Sequence, residues 1–221
     1  MIKKIQRLAL NFCVRAGYVV LMEGGEPKLD SSLLEAVREG DLVRVRSLIA
    51  DGVDINARDR FQQTPLMLAA RNGDLEIVQT LVDAGAHVND IALAGATALH
   101  LAAQHGYLEV VKQLVEANAF VDFAPASALS PLMAALSHGH YAIAEFLLSA
   151  NADVNFATRN GKTALMIAAG RGQLQMVYAL LAREADVNAK ARMGLTAMSA
   201  ARAARRNDIA KVLESAAAFA D

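Results

Sequence analysis

Thr97-Ala98-Leu99-His100-Leu101-Ala102-Ala103-Gln104-His105-Gly106-Tyr107-Leu108-Glu109-Val110-Val111 reads as two short helices and the break between them. A Thr hydroxyl ahead of a helix accepts hydrogen bonds from the free backbone N–H groups of its first turn. Ala102 and Ala103 leave that helix thin enough for a neighbour to approach closely. Gly106 tolerates the left-handed conformation that ends a helix. Leu108, Val110, Val111, Leu114 and Val115 then recur at spacings of three and four, the apolar stripe of a second helix. One such pair cannot bury its own apolar face, so the segment calls for neighbours of the same kind.

Those neighbours lie at a fixed distance on either side. Thr64-Pro65-Leu66, Thr97-Ala98-Leu99, Ser130-Pro131-Leu132, Thr163-Ala164-Leu165 and Thr196-Ala197-Met198 recur every 33 residues, and one further step back reaches Ser31-Ser32-Leu33. Gly40, Gly73, Gly106, Gly139 and Gly172 keep the same beat, with Arg205 in the sixth place. So do Val53-Asp54-Ile55-Asn56, Ala86-His87-Val88-Asn89, Ala119-Phe120-Val121-Asp122, Ala152-Asp153-Val154-Asn155 and Ala185-Asp186-Val187-Asn188. Pro65 and Pro131 suit a first helical position, where the missing N–H has no partner to lose. The Asn and Asp residues are placed to hydrogen-bond turn backbone in loops of about nine residues between pairs.

Composition agrees with many thin layers. The chain has 221 residues, 54% hydrophobic, with 5% aromatics and no Trp. That apolar fraction excludes wholesale disorder. A net charge of -1 argues against a protein built to coat nucleic acid. The single cysteine, Cys13, cannot form an internal disulfide. No apolar run is long enough for a transmembrane helix.

The repeated units resemble ankyrin repeats, whose pattern is Asp-x-x-Gly-x-Thr-Pro-Leu-His-x-Ala-Ala, a Gly, an apolar helix and Gly-Ala-Asp-Val-Asn. Leu99 to Val111 is an almost unbroken match, and the likeness extends from about residue 26 to 214. The resemblance implies an all-α solenoid of stacked helix-turn-helix units with β-hairpin loops, formed by residues 26–221 as six repeats. Each repeat in such a stack buries its apolar face only against its neighbours. The end units depart from the pattern. Glu35, Arg38 and Glu39 charge the first, and Arg202, Arg205, Arg206 and Asn207 the last, as expected of caps with a solvated outer face. The loop Gly, present as Gly52 and Gly85, becomes Asn118, Asn151 and Glu184. Glu184 at a left-handed position should cost roughly 1 kcal/mol.

Residues 1–25 precede the repeats. The first 22 carry Lys3, Lys4, Arg7 and Arg15 with no acid, and the remaining 18 cations against 23 acids give -5. Ile2, Ile5, Leu8, Phe12 and Ala16 keep helical spacing. The segment reads as a helix closing the first repeat, as a leader, or as a basic amphipathic helix on an anionic membrane. Asn11 and Arg15 interrupt the apolar core that a leader needs.

No catalytic constellation, metal set or cofactor motif stands out. Gly161-Lys162-Thr163 resembles the end of a phosphate-binding loop, but the glycine required five residues earlier is Phe156, and the triplet belongs to the repeat. His138-Gly139-His140 has no Cys or carboxylate at ligand spacing. His100 occupies the repeat's own His position, where the resemblance implies a structural hydrogen bond to a Thr hydroxyl.

By the same resemblance, partners dock on hairpin tips and on the concave face of the first helices. In this chain those positions hold Arg60, Phe61, Gln63, Arg71 and Asn72; then Leu93, Ala94, Ala96, Gln104 and His105. The third set is Ala126, Ser127, Leu129, Ser137 and His138. Arg159, Asn160, Lys162, Gly170 and Arg171 follow, and then Arg192, Met193, Leu195, Ala203 and Ala204. Phe61, Leu93, Leu129, Met193 and Leu195 are apolar at expected loop positions, while the Arg and Lys residues make the surface basic. The expectation is a non-enzymatic, monomeric protein-binding module that recognises another protein, through an acidic surface or peptide rather than nucleic acid. A cytoplasmic location is expected, or export should residues 1–25 act as a leader.

Overall fold

The computed structural model describes residues 30–124 and 129–218. The expectations for residues 1–25, Cys13 among them, and for Ala126 and Ser127 lie outside the described residues.

Twelve α-helices in six pairs account for the described fold: α1 (Asp30–Glu39) with α2 (Leu42–Ala50), α3 (Pro65–Asn72) with α4 (Leu75–Asp83), and α5 (Ala98–His105) with α6 (Leu108–Glu116). The series continues as α7 (Pro131–His138) with α8 (Tyr141–Ser149), α9 (Ala164–Arg171) with α10 (Leu174–Leu181), and α11 (Ala197–Ala203) with α12 (Asn207–Ala218). The hydroxyls at the start of each first helix cap it as the sequence suggests. Thr64 accepts from the Met67 N–H at 3.3 Å, Thr97 from His100 at 3.2 Å, and Ser130 from Met133 at 3.3 Å. Thr163 does the same for Met166, and Thr196 forms a reciprocal capping box with Ser199. Unit one differs, because α1 begins at Asp30, one residue ahead of Ser31.

Gly106 shows why the helix break must be glycine. Its φ is +89°, and a Cβ there would sit 2.6 Å from the His140 ring of the next pair. Arg205, without a glycine's freedom, takes φ +57° at the same place, and Asn118, Asn151 and Glu184 take φ 64°, 62° and 61° at the end of the second helices.

First helices pack on first helices and second helices on second helices along the stack. The inner row is held together at one position, five residues after the capping hydroxyl or its register equivalent. Ala36, Ala69, Ala102, Ala135, Ala168 and Ala201 all have 0% exposure, so the first helices approach to alanine contact. Second helices contribute Leu81, Leu114, Leu147 and Leu180, also fully buried. Each such leucine stabilises the fold by about 1.5–3 kcal/mol relative to exposure. Outer helices α8 and α10 meet less closely than the other consecutive outer pairs. There Gln173 donates through Nε2 to the Leu136 carbonyl at 2.8 Å, while its Oε1 is buried without a partner.

The loops supply a second, polar tie between units. Asp54, Asp153 and Asp186 bond the backbone of their own turns as their spacing suggests, accepting from Asn56 at 2.9 Å and from Asn155 and Asn188 at 2.8 Å. Asn56, Asn89, Asp122 and Asn155 instead reach the following unit's loop. Asn56 Oδ1 accepts from the His87 N–H, Asn89 from Phe120, Asp122 from Asp153 and Asn155 from Asp186, all at 2.7–2.8 Å. Asn89 and Asn155 also donate through Nδ2, to the carbonyls of Asn118 at 3.0 Å and Glu184 at 3.1 Å. The expected β-hairpins close as turns, with no strand among the described residues. Asp59, Ala92, Thr158 and Ala191 each donate across their own turn, and single bonds join neighbouring tips, Leu93 N–H to the Phe61 carbonyl and Arg192 N–H to that of Asn160. One bond per junction is too few to build a ladder.

Asp122 is the weak rung. A carboxylate accepts but cannot donate, so the Asn151 carbonyl, the register equivalent of Asn118 and Glu184, receives no bond from it. Burial raises its carboxyl above the ordinary value of 3.8, against the opposing hydrogen bond from the Asp153 N–H and with a further push from the Asp153 charge. The Asp122→Asn variant is expected to be more stable by about 0.5–1.5 kcal/mol, read as a higher urea midpoint. An unchanged or lower midpoint would refute the missing-donor account.

Candidate partner-binding surface

At units one and two a hairpin and the last turns of two first helices come together. Asp59 organises this corner. Its Oδ1 accepts the N–H groups of Phe61 at 2.8 Å and Gln63 at 2.9 Å, and its Oδ2 meets Arg38 Nη2 of α1 at 2.8 Å. Arg71, in the last turn of α3, donates from Nη1 to Gln63 Oε1 at 3.3 Å. The Arg60 guanidinium lies 4.7 Å over the Phe61 ring. Arg38, Asp59, Arg60, Phe61, Gln63 and Arg71 together line a pocket of about 430 Å³.

Farther along the same row, His105 and His138 hold the place of Asn72 and Arg171. His138 donates from Nδ1 to the Ala134 carbonyl at 2.9 Å and stacks on His140, with centroids 6.2 Å apart. His105 stacks on Tyr107 and faces Arg71, His138 and His140; burial, and then those charges, lower its pKa from the ordinary imidazole value. At the far end, Arg159, Lys162, Arg171 and Arg192 form no ion pair among the described residues.

The remaining expected positions divide by what they touch. Leu93, at 75% exposure, Met193, at 105%, and Phe61 project into solvent from the tips, with Leu195 at the margin of exposure. Met193 does so with φ 62°, a left-handed backbone. Leu129 departs from its expected exposure: it is half-buried and packs against the core, as does Ala96. These two immediately precede the capping residues Ser130 and Thr97, where the chain turns inward. Asn72 is engaged in scaffold, donating through Nδ2 to the Val37 carbonyl at 3.3 Å. Gln104 offers its carbonyl to His140 at 3.1 Å, Ser137 and Gly170 are half-buried, and Asn160 and Ala94 are exposed. Ala203 is exposed and Ala204 half-buried, both small and apolar in the last unit.

Two residues of the corner escaped the sequence reading, Arg38 and Asp59. Arg38 sits seven residues after Ser31, the place Arg71 holds after Thr64, so extending the register by one unit finds it. His100 also differs from its expectation. Thr97's hydroxyl accepts the main-chain N–H of His100, and the ring's polar neighbours are the Leu129 backbone and the Gln104 side chain.

On the outer side, where α8 and α10 diverge, Tyr141, Glu145, Gln173 and Leu174 are among the residues lining a second pocket of about 400 Å³. No described helix is long and apolar enough to cross a membrane. A family model described as ankyrin repeats in three copies matches residues 33–124, 88–158 and 132–219. No curated protein matches the chain.

Burial lowers the His100 pKa from its ordinary 6.5, ahead of the opposing bonds from Leu129 and Gln104 and the repulsion of His138. A neutral ring in the folded state contributes fully above about pH 6.5, the unfolded value. Stability is then lost as pH falls below it, until the lower folded pKa is passed. Urea midpoints between about pH 7 and 5 should decline less steeply in His100→Gln than in the unmodified chain. Parallel curves would exclude His100 as a source of the decline.

Proposed function

Because the chain belongs to the ankyrin-repeat family, whose repeats are generally protein–protein interaction modules, we propose that it captures another protein on the surface of hairpin tips and first-helix ends, without chemistry of its own. The observation that carries this reading is a local reversal of charge. Residues 23–221 total -5, yet the hairpin and first-helix-end positions hold Arg60, Arg71, Arg159, Lys162, Arg171 and Arg192. Asp59, the acid beside them, is already bonded to Arg38 and the hairpin backbone.

Exposed Phe61, Leu93 and Met193 beside those cations suit a folded acidic partner or an acidic peptide with apolar residues of its own. Aromatic and Arg side chains are the usual anchors of such contacts. A scaffold already ordered by packing loses little entropy on binding. An acidic body disfavours nucleic acid as the partner. The charged outer faces of the end units, with Glu35 and Glu39 on Arg44 at 3.2 and 3.1 Å, support a monomer. A fold made without a disulfide suits the reducing cytoplasm.

Replacing Arg71, Arg159 and Arg171 together by Glu should abolish capture of partners from a lysate, identified by mass spectrometry. The far-ultraviolet circular dichroism should stay that of the native helices. Undiminished capture by a folded variant would remove this face as the binding surface.

A further inference from the structure

The corner pocket of units one and two differs in kind from the rest of the row, and the difference defines what it can hold. Three guanidinium groups and one carboxylate line it, a local charge of +2. Asp59 neutralises Arg38 alone, because its other oxygen is bonded to backbone. Arg71 is held by a neutral group, the Gln63 amide oxygen, and keeps its full charge. Arg60 sits over the Phe61 ring at 4.7 Å, a contact that uses none of its N–H donors in a hydrogen bond to the ring's edge. Every member is positioned by another member, so the donors are in place before a ligand arrives.

The scaffold does not require this set. The next hairpin has Ala92, Leu93, Ala94 and Ala96 in place of Asp59, Arg60, Phe61 and Gln63 and folds into the same turn. In the hairpin after Val154, the Thr158 hydroxyl takes the Lys162 N–H at 3.1 Å, so a neutral side chain suffices to close the loop. What the carboxylate of Asp59 adds is the hold on Arg38. The combination of Arg38, Arg60 and Arg71 around one hairpin occurs in no other unit, and the turn closes without it.

We propose that this pocket receives a phosphorylated side chain of the partner protein, an assignment that rests on the binding face proposed above. A phosphomonoester carries about -1.5 to -2 at neutral pH and three acceptor oxygens. It matches both the excess charge and the forked donors of Arg60 and Arg71. A carboxylate leaves one guanidinium unbalanced. A nucleic-acid phosphodiester brings one charge per phosphate, and its strand would have to run along an acidic body past Gln104 and Ser137, where the row has no cation at the place of Arg71. A pocket of about 430 Å³ has room for the side chain that bears the phosphate as well as the group itself.

The test uses the full chain, immobilised, and four degenerate peptide libraries that differ only in a fixed central residue: phosphoserine, phosphotyrosine, Glu or Ser. At least one phosphorylated library should be retained about tenfold better than the Glu and Ser libraries. Arg60→Gln and Arg71→Gln should each erase that difference, and Arg202→Gln, in the last unit, should preserve it. Equal retention of all four libraries, no retention of any, or a phosphate preference that survives Arg71→Gln would overturn the proposal. So would retention of a single-stranded oligonucleotide equal to that of the phosphopeptides. Partner capture that persists from phosphatase-treated lysate overturns the pocket and leaves the wider face standing. Failure of the face itself shows instead as capture indifferent to Arg159→Glu and Arg171→Glu.

Discussion

The structure depends on close approach between first helices at a single alanine in each unit. From Ala36 to Ala201 that position is fully buried in all six pairs. A larger side chain there would push neighbouring pairs apart, and overpacking of this kind costs about 1–3 kcal/mol. Once the inner helices are seated at alanine contact, the leucines of the outer helices meet, the loop amides reach the next loop, and the hairpin tips align in a row. Units therefore depend on their neighbours for nearly all of their burial, as the quasi-one-dimensional energetics of repeat stacks require.

This dependence explains which parts of the protein were legible in the sequence. Capping hydroxyls, helix-ending glycines and the apolar stripe act within one unit, and each leaves its mark at a short fixed spacing. They identify the helices of units two to six to within a residue or two. Contacts between units are less readable, because the two partners lie about one repeat apart and nothing local marks them. Asn56 has the composition of a turn residue, yet its acceptor serves His87, in the loop of the following unit. Leu129 and Leu93 look alike as loop leucines, but only Leu129 stands where the chain turns into the core.

The same distinction separates scaffold from surface. Features that recur in register hold the stack, and Asn72 and His100 on the candidate face turn out to belong to it through bonds to backbone or neighbouring amide groups. Features that break register are left for recognition. In the corner, Arg60, Phe61 and Gln63 differ from their equivalents in the other units while Asp59 keeps the repeat's own Asp position, and Arg38 reads in the sequence only as the solvated charge of an end unit. Met193, fully exposed on a left-handed backbone, breaks it at the other end of the row. A non-glycine residue in that conformation carries strain, which is found most often where it serves function.

Amide hydrogen exchange of the chain, free and bound to a captured partner, tests the central claim that a rigid stack presents this face and no other. The account predicts slowed exchange on binding in the hairpins around Phe61, Leu93, Asn160 and Met193 and in the last turns of α3 and α9, with the outer helices unchanged. Slowing concentrated instead in α4, α6, α8 and α10, with the hairpins unaffected, would contradict it.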